Sequence, residues 1–405
     1  MSATHESGMG ERIARLRMRR GLTQERLAEK AGLSVDVVRK LEQGRRRTAR
    51  LSTVNALAAA LDTEPSALLG QLTTFEVPPT ADEAPSVLAL RQAVSPVADL
   101  LGGDDDVEDA PSIVQLKEAL ASTGSIRREG RVAEIGAVLP QLIRDARAAV
   151  HASAGRDAAA ANSVLAVAYQ VAATTLTALG KEDAAFTAME RSLAAIRSCD
   201  DPNLETLAAS TLSWVLTKQG RLGDAERIAL ARAEQIEPGF RSAPQDIALW
   251  GVLLLRAATA AVRQEKEQQV EDLMRQATAA ADLVGEDRLV YATPFGPTNV
   301  GIAKVNFLVE MDRSREAVRT APAVPDLTSL PPTWRARFHV DRALAHTDLG
   351  EDARAVRALL TAEQDAAEWM RYHATSRRLV EELRGRATRG SAPVFALAER
   401  LGLAD

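Results

Sequence analysis

The sequence predicts an all-α protein, and its composition and patterning support that fold class. Of the 405 residues, 46% are hydrophobic but only 3% are aromatic, and alanine and leucine supply much of the apolar content. Both side chains lose little conformational freedom in a helix, so this composition favours helices. No segment shows the valine and isoleucine alternation expected of a strand. A chain of this length is also expected to form at least two domains.

Charge is distributed unevenly along the chain. Residues 1–71 contain 13 Lys/Arg and 8 Asp/Glu, a net charge of +5, whereas the remaining residues contain 37 and 47, a net charge of −10. The net charge of −5 for the whole chain therefore conceals a basic head on an acidic body. The single cysteine, Cys199, excludes an intrachain disulfide and a C-x-x-C zinc pair. Neither a signal peptide nor a run of about 20 apolar residues is evident, so we expect a cytoplasmic protein.

Boundary signals in the basic head predict three short helices. Gly32, in the turn between the second and third, can adopt positive φ at little steric cost. Two helices joined by a short Gly-containing turn form a helix-turn-helix unit, whose second helix enters the major groove of DNA. The predicted extents are a first helix from Arg12 to Gly21, a second over Gln24–Lys30 with Thr23 as N-cap, and a third from the N-cap Ser34 to Gln43, before Gly44.

The segment Gly21–Ser34, followed by Val38–Gly44, closely resembles the XRE (Cro/C1-repressor-like) family. The Thr-Gln opening, the Ala-Gly-Leu-Ser turn and the Leu-Glu-x-Gly ending all match that family. The resemblance implies a five-helix domain over residues 1–72, with fourth and fifth helices at Leu51–Leu61 and Pro65–Leu69.

The resemblance also implies which residues contact DNA. Base-edge contacts would come from the recognition helix after Ser34, with Val35 on a thymine methyl, Asp36 on cytosine N4 and Lys40 on guanine. Val35 and Asp36 replace the amide side chains of phage repressors, so the base sequence stays open. The residues implied to hold phosphates, or to approach the minor groove in the case of the last, are Gln24, Arg39, Arg45, Arg46, Arg47 and Arg50.

Some of these basic and acidic residues have a simpler interpretation. Glu42 is expected to be a structural partner of an arginine on the first helix rather than a DNA contact. Arg15 and Arg19 are expected to be solvated. The run Arg45–Arg47 could be a generic basic segment, but its position just after the recognition helix favours phosphate contacts.

Residues 73–111 are predicted to be a linker that is acidic and partly helical. Several prolines interrupt it, and an acidic turn follows Gly102. A helix over Val87–Leu101 remains compatible with the pattern.

Residues 112–405 are predicted to form a tetratricopeptide-like α-solenoid of six helix pairs. A permissive Gly or Asp lies between two helices, and a small residue at the closest helix approach follows five positions later. An extra helix at Ala367–Arg384 and a tail including Val394–Leu401 complete the prediction. The landmark pairs, spaced by about 40 to 50 residues, are Gly180/Ala185, Gly220/Ala225, Asp312/Ala317 and Gly350/Ala355, with Gly130/Ile135 weaker and Gln264/Gln269 degenerate.

Three segments of the body, Phe295–Val300, Arg335–Leu349 and Leu397–Leu403, resemble a large actinobacterial group of XRE regulators with tetratricopeptide-like bodies. Stacked pairs form a superhelix with a concave binding face. The resemblance implies a single-chain sensor and regulator whose solenoid dimerises and binds a peptide, a small molecule or a protein partner.

Candidate ligand residues follow from helical spacing. Asn299 and Asn306 are seven apart, on one helix face, where their amides could bind a peptide backbone. Asn162 and Tyr169 repeat the spacing, and Trp214, Trp250, Phe295 and Trp334 could wall apolar pockets. The alternative is that the tryptophans are core residues and the asparagines caps or solvated groups.

No enzyme signature is present, and no cofactor is expected. The sequence contains no H-E-x-x-H, Walker A, G-x-G-x-x-G or G-x-S-x-G motif. His339 and His346 lie two helical turns apart, too far for the usual i, i+4 metal pair.

The leading hypothesis is therefore a dimeric transcriptional regulator that binds a double-stranded DNA operator under control of a ligand. The alternative is an adaptor whose solenoid binds a protein partner, with a head of little DNA affinity. Salt-dependent DNA binding would separate the two hypotheses.

Overall fold

A computed structural model describes residues 9–45, 49, 51–63, 68, 85–97, 110–239, 241–291, 293–387 and 392–403. Over these residues the chain forms nineteen α-helices and one two-stranded antiparallel sheet, which confirms the all-α prediction. The helices are α1 Met9–Arg19, α2 Gln24–Ala31, α3 Val35–Glu42, α4 Leu51–Ala60, α5 Pro85–Val94, α6 Ile113–Glu129, α7 Val132–Ala152, α8 Gly155–Ala178, α9 Glu182–Ile196, α10 Pro202–Lys218, α11 Leu222–Gln235, α12 Pro244–Arg263, α13 Glu267–Val284, α14 Pro297–Glu310, α15 Ser314–Thr320, α16 Pro332–Asp348, α17 Asp352–Tyr372, α18 Ala374–Arg386 and α19 Ala392–Arg400; the strands are β1 Arg288–Val290 and β2 Thr293–Phe295.

Helices α1 to α4 form a small domain with a core of its own, to which Ile13, Leu27, Leu41 and Leu57 each contribute a fully buried side chain. Close packing of α1 on α3 depends on Gly10, because a Cβ there would lie 1.9 Å from the carbonyl oxygen of Leu41. The predicted fifth helix, at 65–69, lies almost entirely outside the described residues.

Helix α5 lies in the segment predicted to be a linker. Its buried residues Leu90 and Val94 join the main core of the body, and α5 packs against α7. This helix therefore belongs structurally to the solenoid. It ends at Val94, earlier than the predicted limit of Leu101.

The six predicted helix pairs are present, and each is joined by the same left-handed turn. The residue with positive φ is followed by one whose N–H donates to a carbonyl five residues earlier, as in a Schellman motif. Five positions after each turn residue lies a buried side chain of the second helix. The six combinations of turn residue and buried residue are Gly130 and Ile135, Gly180 and Ala185, Gly220 and Ala225, Glu265 and Val270, Asp312 and Ala317, and Gly350 and Ala355.

One of these landmarks was predicted one residue too early. Gln264/Gln269 was expected, but Glu265 has the positive φ of 62° and Val270 is the buried residue. Neither Glu nor Val matches a search for Gly or Asp followed by a small residue. The turn geometry is imposed here by the helices it joins, at a small conformational cost.

The C-terminal helices also differ from the predicted limits. An extra helix was expected at Ala367–Arg384, but α17 runs to Tyr372 across a kink at Ala366, and α18 spans Ala374–Arg386. The backbone of Ala366 is non-helical, with φ −154° and ψ 71°. The chain therefore leaves the helical conformation just before the predicted start of the extra helix, but α17 continues past this kink to Tyr372.

A short hairpin, β1–β2, was not predicted. Arg288 pairs with Phe295 and Val290 with Thr293. Three residues per strand are too few to show alternation. The hairpin places Phe295 in the core, where its ring occupies the space that a Cβ on Gly251 would take, 2.0 Å from Cζ.

The six pairs close into a ring. The first helices of the pairs (α6, α8, α10, α12, α14 and α16) contact one another in order, and α16 also contacts α6. At the closure, Thr333 Oγ1 donates to the Arg128 carbonyl at 3.1 Å, and Glu368 accepts from the Ala133 N–H at 2.6 Å. The first helices therefore surround a common interior.

Two of the described helices, α8 and α12, are long and apolar enough to span a membrane by length and composition alone. Within those apolar windows 72% and 67% of the residues are buried, so the ring itself uses their apolar surface.

Candidate nucleic-acid interface and solenoid interior

The turn between α2 and α3 fixes how α3 is presented. Thr23 Oγ1 accepts from the Arg26 N–H at 3.2 Å, and Ser34 Oγ accepts from the Val37 N–H at 3.4 Å, so each helix has a side-chain N-cap. Gly32, at φ 64°, makes the turn between them. Val38 and Leu41 bury one face of α3, and the opposite face is therefore turned to solvent.

The predicted base-reading residues lie on that outer face. Asp36 and Arg39 are exposed, and Val35 and Lys40 are half-buried. Lys40 Nζ lies 2.9 Å from Asp36 Oδ2, and this hydrogen bond, with the charges of Lys40, Arg39 and Arg45, lowers the pKa of Asp36. Exposed pairs at i, i+4 are weak, so DNA groups could replace either partner at little cost.

Glu42 joins the three helices of the unit. Arg17 donates to it twice, from Nε at 2.6 Å and from Nη2 at 2.9 Å, and Gln24 Nε2 donates at 2.7 Å. The side chains of Arg17 and Glu42 are only 15% and 5% exposed. This confirms the prediction that Glu42 is a structural partner of a first-helix arginine. The Gln24 amide group has a second N–H besides the one that it donates to Glu42.

Beyond α3, the structure describes Arg45 but not the rest of the basic run. The side chain of Arg45 is exposed, and its carbonyl accepts from Arg386 Nη2. Arg386 is itself bonded to the Thr347 carbonyl and the Asp352 carboxylate, each at 3.3 Å. The end of the recognition unit thus contacts the last helices of the body. Arg46, Arg47 and Arg50 lie outside the described residues.

The structure separates the predicted ligand residues into two groups. Tyr169, Phe295 and Asn299 are buried, and Trp250 packs partly buried on the main core. Asn162 Nδ2 donates to the carbonyl of Ala158 on its own helix at 2.8 Å.

Asn306 and Trp334 form the second group, at the ring interior. Burial raises the pKa of Asp341, and the side chain of Asn306 on α14 lies close enough to this α16 carboxyl to oppose that rise. Arg127 of α6 lies over the Trp334 ring, 5.8 Å from its centroid.

A set of cationic side chains in the interior was not predicted. Each lies on the first helix of a pair and is half-buried, and the set is Arg127, Lys218, Arg256, Arg263 and Arg337. We call it the interior cation cluster. Three carboxylates also act on its ionisation, namely Asp341, paired with Arg337 at 3.0 Å, Glu310 and Glu182. Single basic residues on amphipathic helices normally indicate a solvated face, so no sequence signal distinguished these.

Burial lowers the pKa of four of these five cations; at Arg337 burial acts in the same direction, but Asp341 and Glu310 outweigh it and raise the pKa. Burial, followed by the charges of Arg337 and Arg263, lowers the pKa of Lys218 to about 7. Burial, followed by the charge of Arg127, lowers the pKa of Arg256 to about 10. Lys218 on α10 and Arg337 on α16 belong to non-adjacent pairs, so their interaction places both in the shared interior.

Aromatic rings support part of the cluster. Lys218 Nζ lies 4.7 Å from the centroid of Trp214, and Arg256 Cζ lies 5.2 Å from the same ring. Arg256 Nε also donates to Ser210 Oγ at 3.2 Å. Such cation–π contacts partly replace lost hydration, but they do not neutralise charge.

The histidines of α16 have protein partners. His346 Nδ1 lies 2.7 Å from Glu351 Oε2, and His339 Nε2 lies 3.6 Å from Asp365 Oδ2. Across the described part of the chain, no group of three or more His, Cys, Asp or Glu has a metal-binding arrangement. A separate half-open cleft of about 370 Å³ lies between the last two pairs, with Arg342, Arg354 and Arg357 among its lining residues.

Comparison with known proteins identifies the class of the head. Residues 9–69 match the family model described as "Helix-turn-helix domain". The N-terminal domain is therefore a helix-turn-helix domain, followed here by a helical solenoid. That part of the predicted family resemblance is confirmed.

A second comparison concerns the whole chain. The solved structures include a match to PlcR of Bacillus thuringiensis in complex with the peptide PapR7 and DNA, at 11% identity and a TM-score of 0.35. The match covers 92% of this chain and 98% of that one. A likeness at this level bears on neither the activity nor the ligand of this chain. Curated protein sequences gave no match.

Proposed function

We propose that this protein is a cytoplasmic, dimeric transcriptional regulator whose helix-turn-helix head binds double-stranded DNA and whose solenoid senses a ligand. The observation that carries the proposal is the recognition helix α3, which is held by buried residues and the Glu42 network on one side and presents Asp36, Arg39 and Lys40 on the other. This is the arrangement needed to place base-reading and phosphate-binding groups in the major groove.

Roles within the interface follow from chemistry. Asp36 and Lys40 offer an acceptor and a donor to base edges, and Val35 offers an apolar contact to a thymine methyl. Arg39, Arg45 and the neighbouring basic residues, with Gln24, hold phosphates. In a dimer, two heads would read half-sites about one DNA turn apart.

The contact between Arg386 and the Arg45 carbonyl supports a route for control. Arg386 is anchored to the carbonyl of Thr347 on α16, and the same helix carries Arg337 and Asp341 in the ring interior. A ligand that shifts α16 would therefore act on the end of the recognition unit. Control of this kind requires that the ligand bind two conformations with different affinity.

DNA affinity and its salt dependence test the proposal. A binding site is first selected from a randomised duplex pool with the full chain, and its affinity is then measured by fluorescence anisotropy at several salt concentrations. The change of Arg39, Lys40 and Arg45 to Ala should weaken binding about 100-fold or more, and each lost phosphate contact should reduce the salt slope by about 0.9.

The matched control is Arg275→Ala on α13, whose side chain is 72% exposed on the body. It should bind like the wild type. If the triple variant retains full affinity, or no duplex binds in a salt-dependent way, the regulator proposal fails and a protein-interaction adaptor becomes the better interpretation.

A further inference from the structure

Ion pairs neutralise the interior cation cluster only in part. Three carboxylates, Asp341, Glu310 and Glu182, act on its ionisation, and of these Asp341 pairs with Arg337. Among the described residues, no carboxylate forms an ion pair with Lys218, Arg256 or Arg263. On the outer helices, by contrast, arginines pair readily with neighbouring carboxylates, as Arg275 does with Asp272. Ion pairs with carboxylates are therefore common on the outer helices, whereas these three interior cations form none among the described residues.

Gathering these cations in the ring interior costs electrostatic free energy, and the fold does not require it. Like charges gathered where protein replaces water repel one another and lose hydration, and the lowered pKa of Lys218 reflects both effects. Packing alone would be better served by apolar side chains at these positions, because an unneutralised buried charge destabilises a fold. The cluster still retains accessible surface, with 27% of the Arg337 side chain exposed, so solvent or a small ligand can reach that side chain.

We propose that the ring interior binds a small organic anion carrying two or more negative charges, as phosphate or carboxylate groups. The arginines supply forked donors that match the geometry of both groups, and Lys218 supplies a point charge. Trp214 and Trp334, which lie against Arg256 and Arg127, add flat apolar walls. This inference rests on the proposed ligand-sensing function and names its ligand class.

The closed ring favours a small ligand over a long one. Helix α16 contacts α6, so the interior is bounded on every side by first helices. An extended groove suited to a peptide running along a superhelix would need an open side. An acidic peptide is nonetheless a distinguishable outcome of the test.

Calorimetry and tryptophan fluorescence of the full chain at low ionic strength test the inference, with pyrophosphate, citrate and hexaglutamate as probes. Pyrophosphate or citrate should bind at one molecule per chain and change the emission of the tryptophans beside the cations. The variant Lys218→Met/Arg263→Met should lose about tenfold or more in affinity, equivalent to about 1.4 kcal/mol or more, since it removes two charge-assisted contacts. The control Arg275→Met, on an outer helix, should bind like the wild type.

A stability measurement separates ligand binding from a structural role. Without anion, Lys218→Met/Arg263→Met should unfold at a temperature equal to or higher than the wild type, because repulsion is relieved. A lower unfolding temperature in the double variant would indicate that the cations support the fold, and would overturn the proposal.

The remaining outcomes are equally decisive. Failure of both small anions to bind the wild type more tightly than the double variant overturns the proposal, and selective binding of hexaglutamate replaces it with an acidic peptide. Operator affinity is then measured with and without the anion. If the anion binds at the cluster but leaves DNA affinity unchanged, the anion site is confirmed and the proposed ligand-sensing function is refuted.

Discussion

Replacement of Glu42 by Ala should destabilise the head selectively, because one buried carboxylate joins three helices. Glu42 accepts two hydrogen bonds from Arg17 and one from Gln24, all between 2.6 and 2.9 Å. Its removal leaves the 15% exposed Arg17 side chain without its carboxylate. Loss of one partner of a buried pair costs about 3 kcal/mol.

That loss is large relative to the stability of the head. A domain of about 60 residues is stable by roughly 3 to 9 kcal/mol. A loss of about 3 kcal/mol should lower its unfolding temperature by about 12 to 24 °C. DNA affinity below the transition should change little, since Glu42 faces inward and is not proposed to touch DNA.

The four tryptophans make this assay specific, because all of them, Trp214, Trp250, Trp334 and Trp369, lie in the body. Tryptophan fluorescence therefore reports on unfolding of the solenoid, whereas far-ultraviolet circular dichroism reports on all helices. Glu42→Ala should introduce an early transition in circular dichroism and leave the fluorescence transition in place.

The matched control is Glu29→Ala, which removes an exposed i, i+3 pair with Arg26 at 2.7 Å. It should cost less than about 0.5 kcal/mol. If Glu42→Ala unfolds like the wild type by both probes, or at no lower a temperature than Glu29→Ala, the Glu42 network does not hold the recognition unit together.

Three further predictions concern the body. Gly251→Ala should lower the unfolding temperature measured by fluorescence by an amount equivalent to about 1 to 3 kcal/mol, since the new Cβ would overlap the Phe295 ring. The control Gly223→Ala, with open space around its Cβ, should leave that temperature unchanged. Equal unfolding temperatures of the two variants would contradict this prediction. Burial, followed by the charge of Arg342, lowers the pKa of His339 to about 4, so the unfolded chain binds a proton that the folded chain does not as pH falls from 6.5. Stability should therefore decrease between about pH 6.5 and 4 by up to about 3 kcal/mol, and His339→Gln should reduce that slope in acid titrations followed by fluorescence; an unchanged slope would assign it to other groups. Arg386→Ala removes the contact with the Arg45 carbonyl, and should change the effect of a bound anion on operator affinity without abolishing DNA binding; the same anion effect in wild type and variant would exclude this contact from the coupling.

The sequence predicted the local elements well because their signals are local. The caps Thr23 and Ser34 and the turn residue Gly32 all have the predicted roles, each of which depends on residues within one helical turn. Most of the solenoid turns were found for the same reason. The exception, Glu265, has a left-handed backbone without a residue type that signals it.

The DNA-contact residues remain a prediction that rests on family resemblance and is consistent with their exposure. The interior could not be predicted in the same way. Asn306, selected by spacing, and Trp334, selected as an aromatic wall, lie beside residues of the ring interior, whereas Tyr169 and Phe295, selected on the same two grounds, are buried in the core. Spacing along one helix identifies a shared face, but it does not identify what that face meets.

Sequence patterns were enough to predict that this protein is helical, that a basic helix-turn-helix head precedes an acidic body, and that the body consists of paired helices. Those features depend on composition, periodicity and capping, which are properties of short segments. Tertiary structure alone decided that α16 returns to α6, where Thr333 bonds to Arg128 some two hundred residues earlier in the chain. That closure turns basic residues on separate helices into one cluster, because electrostatic interaction depends on distance in space and not on separation in sequence.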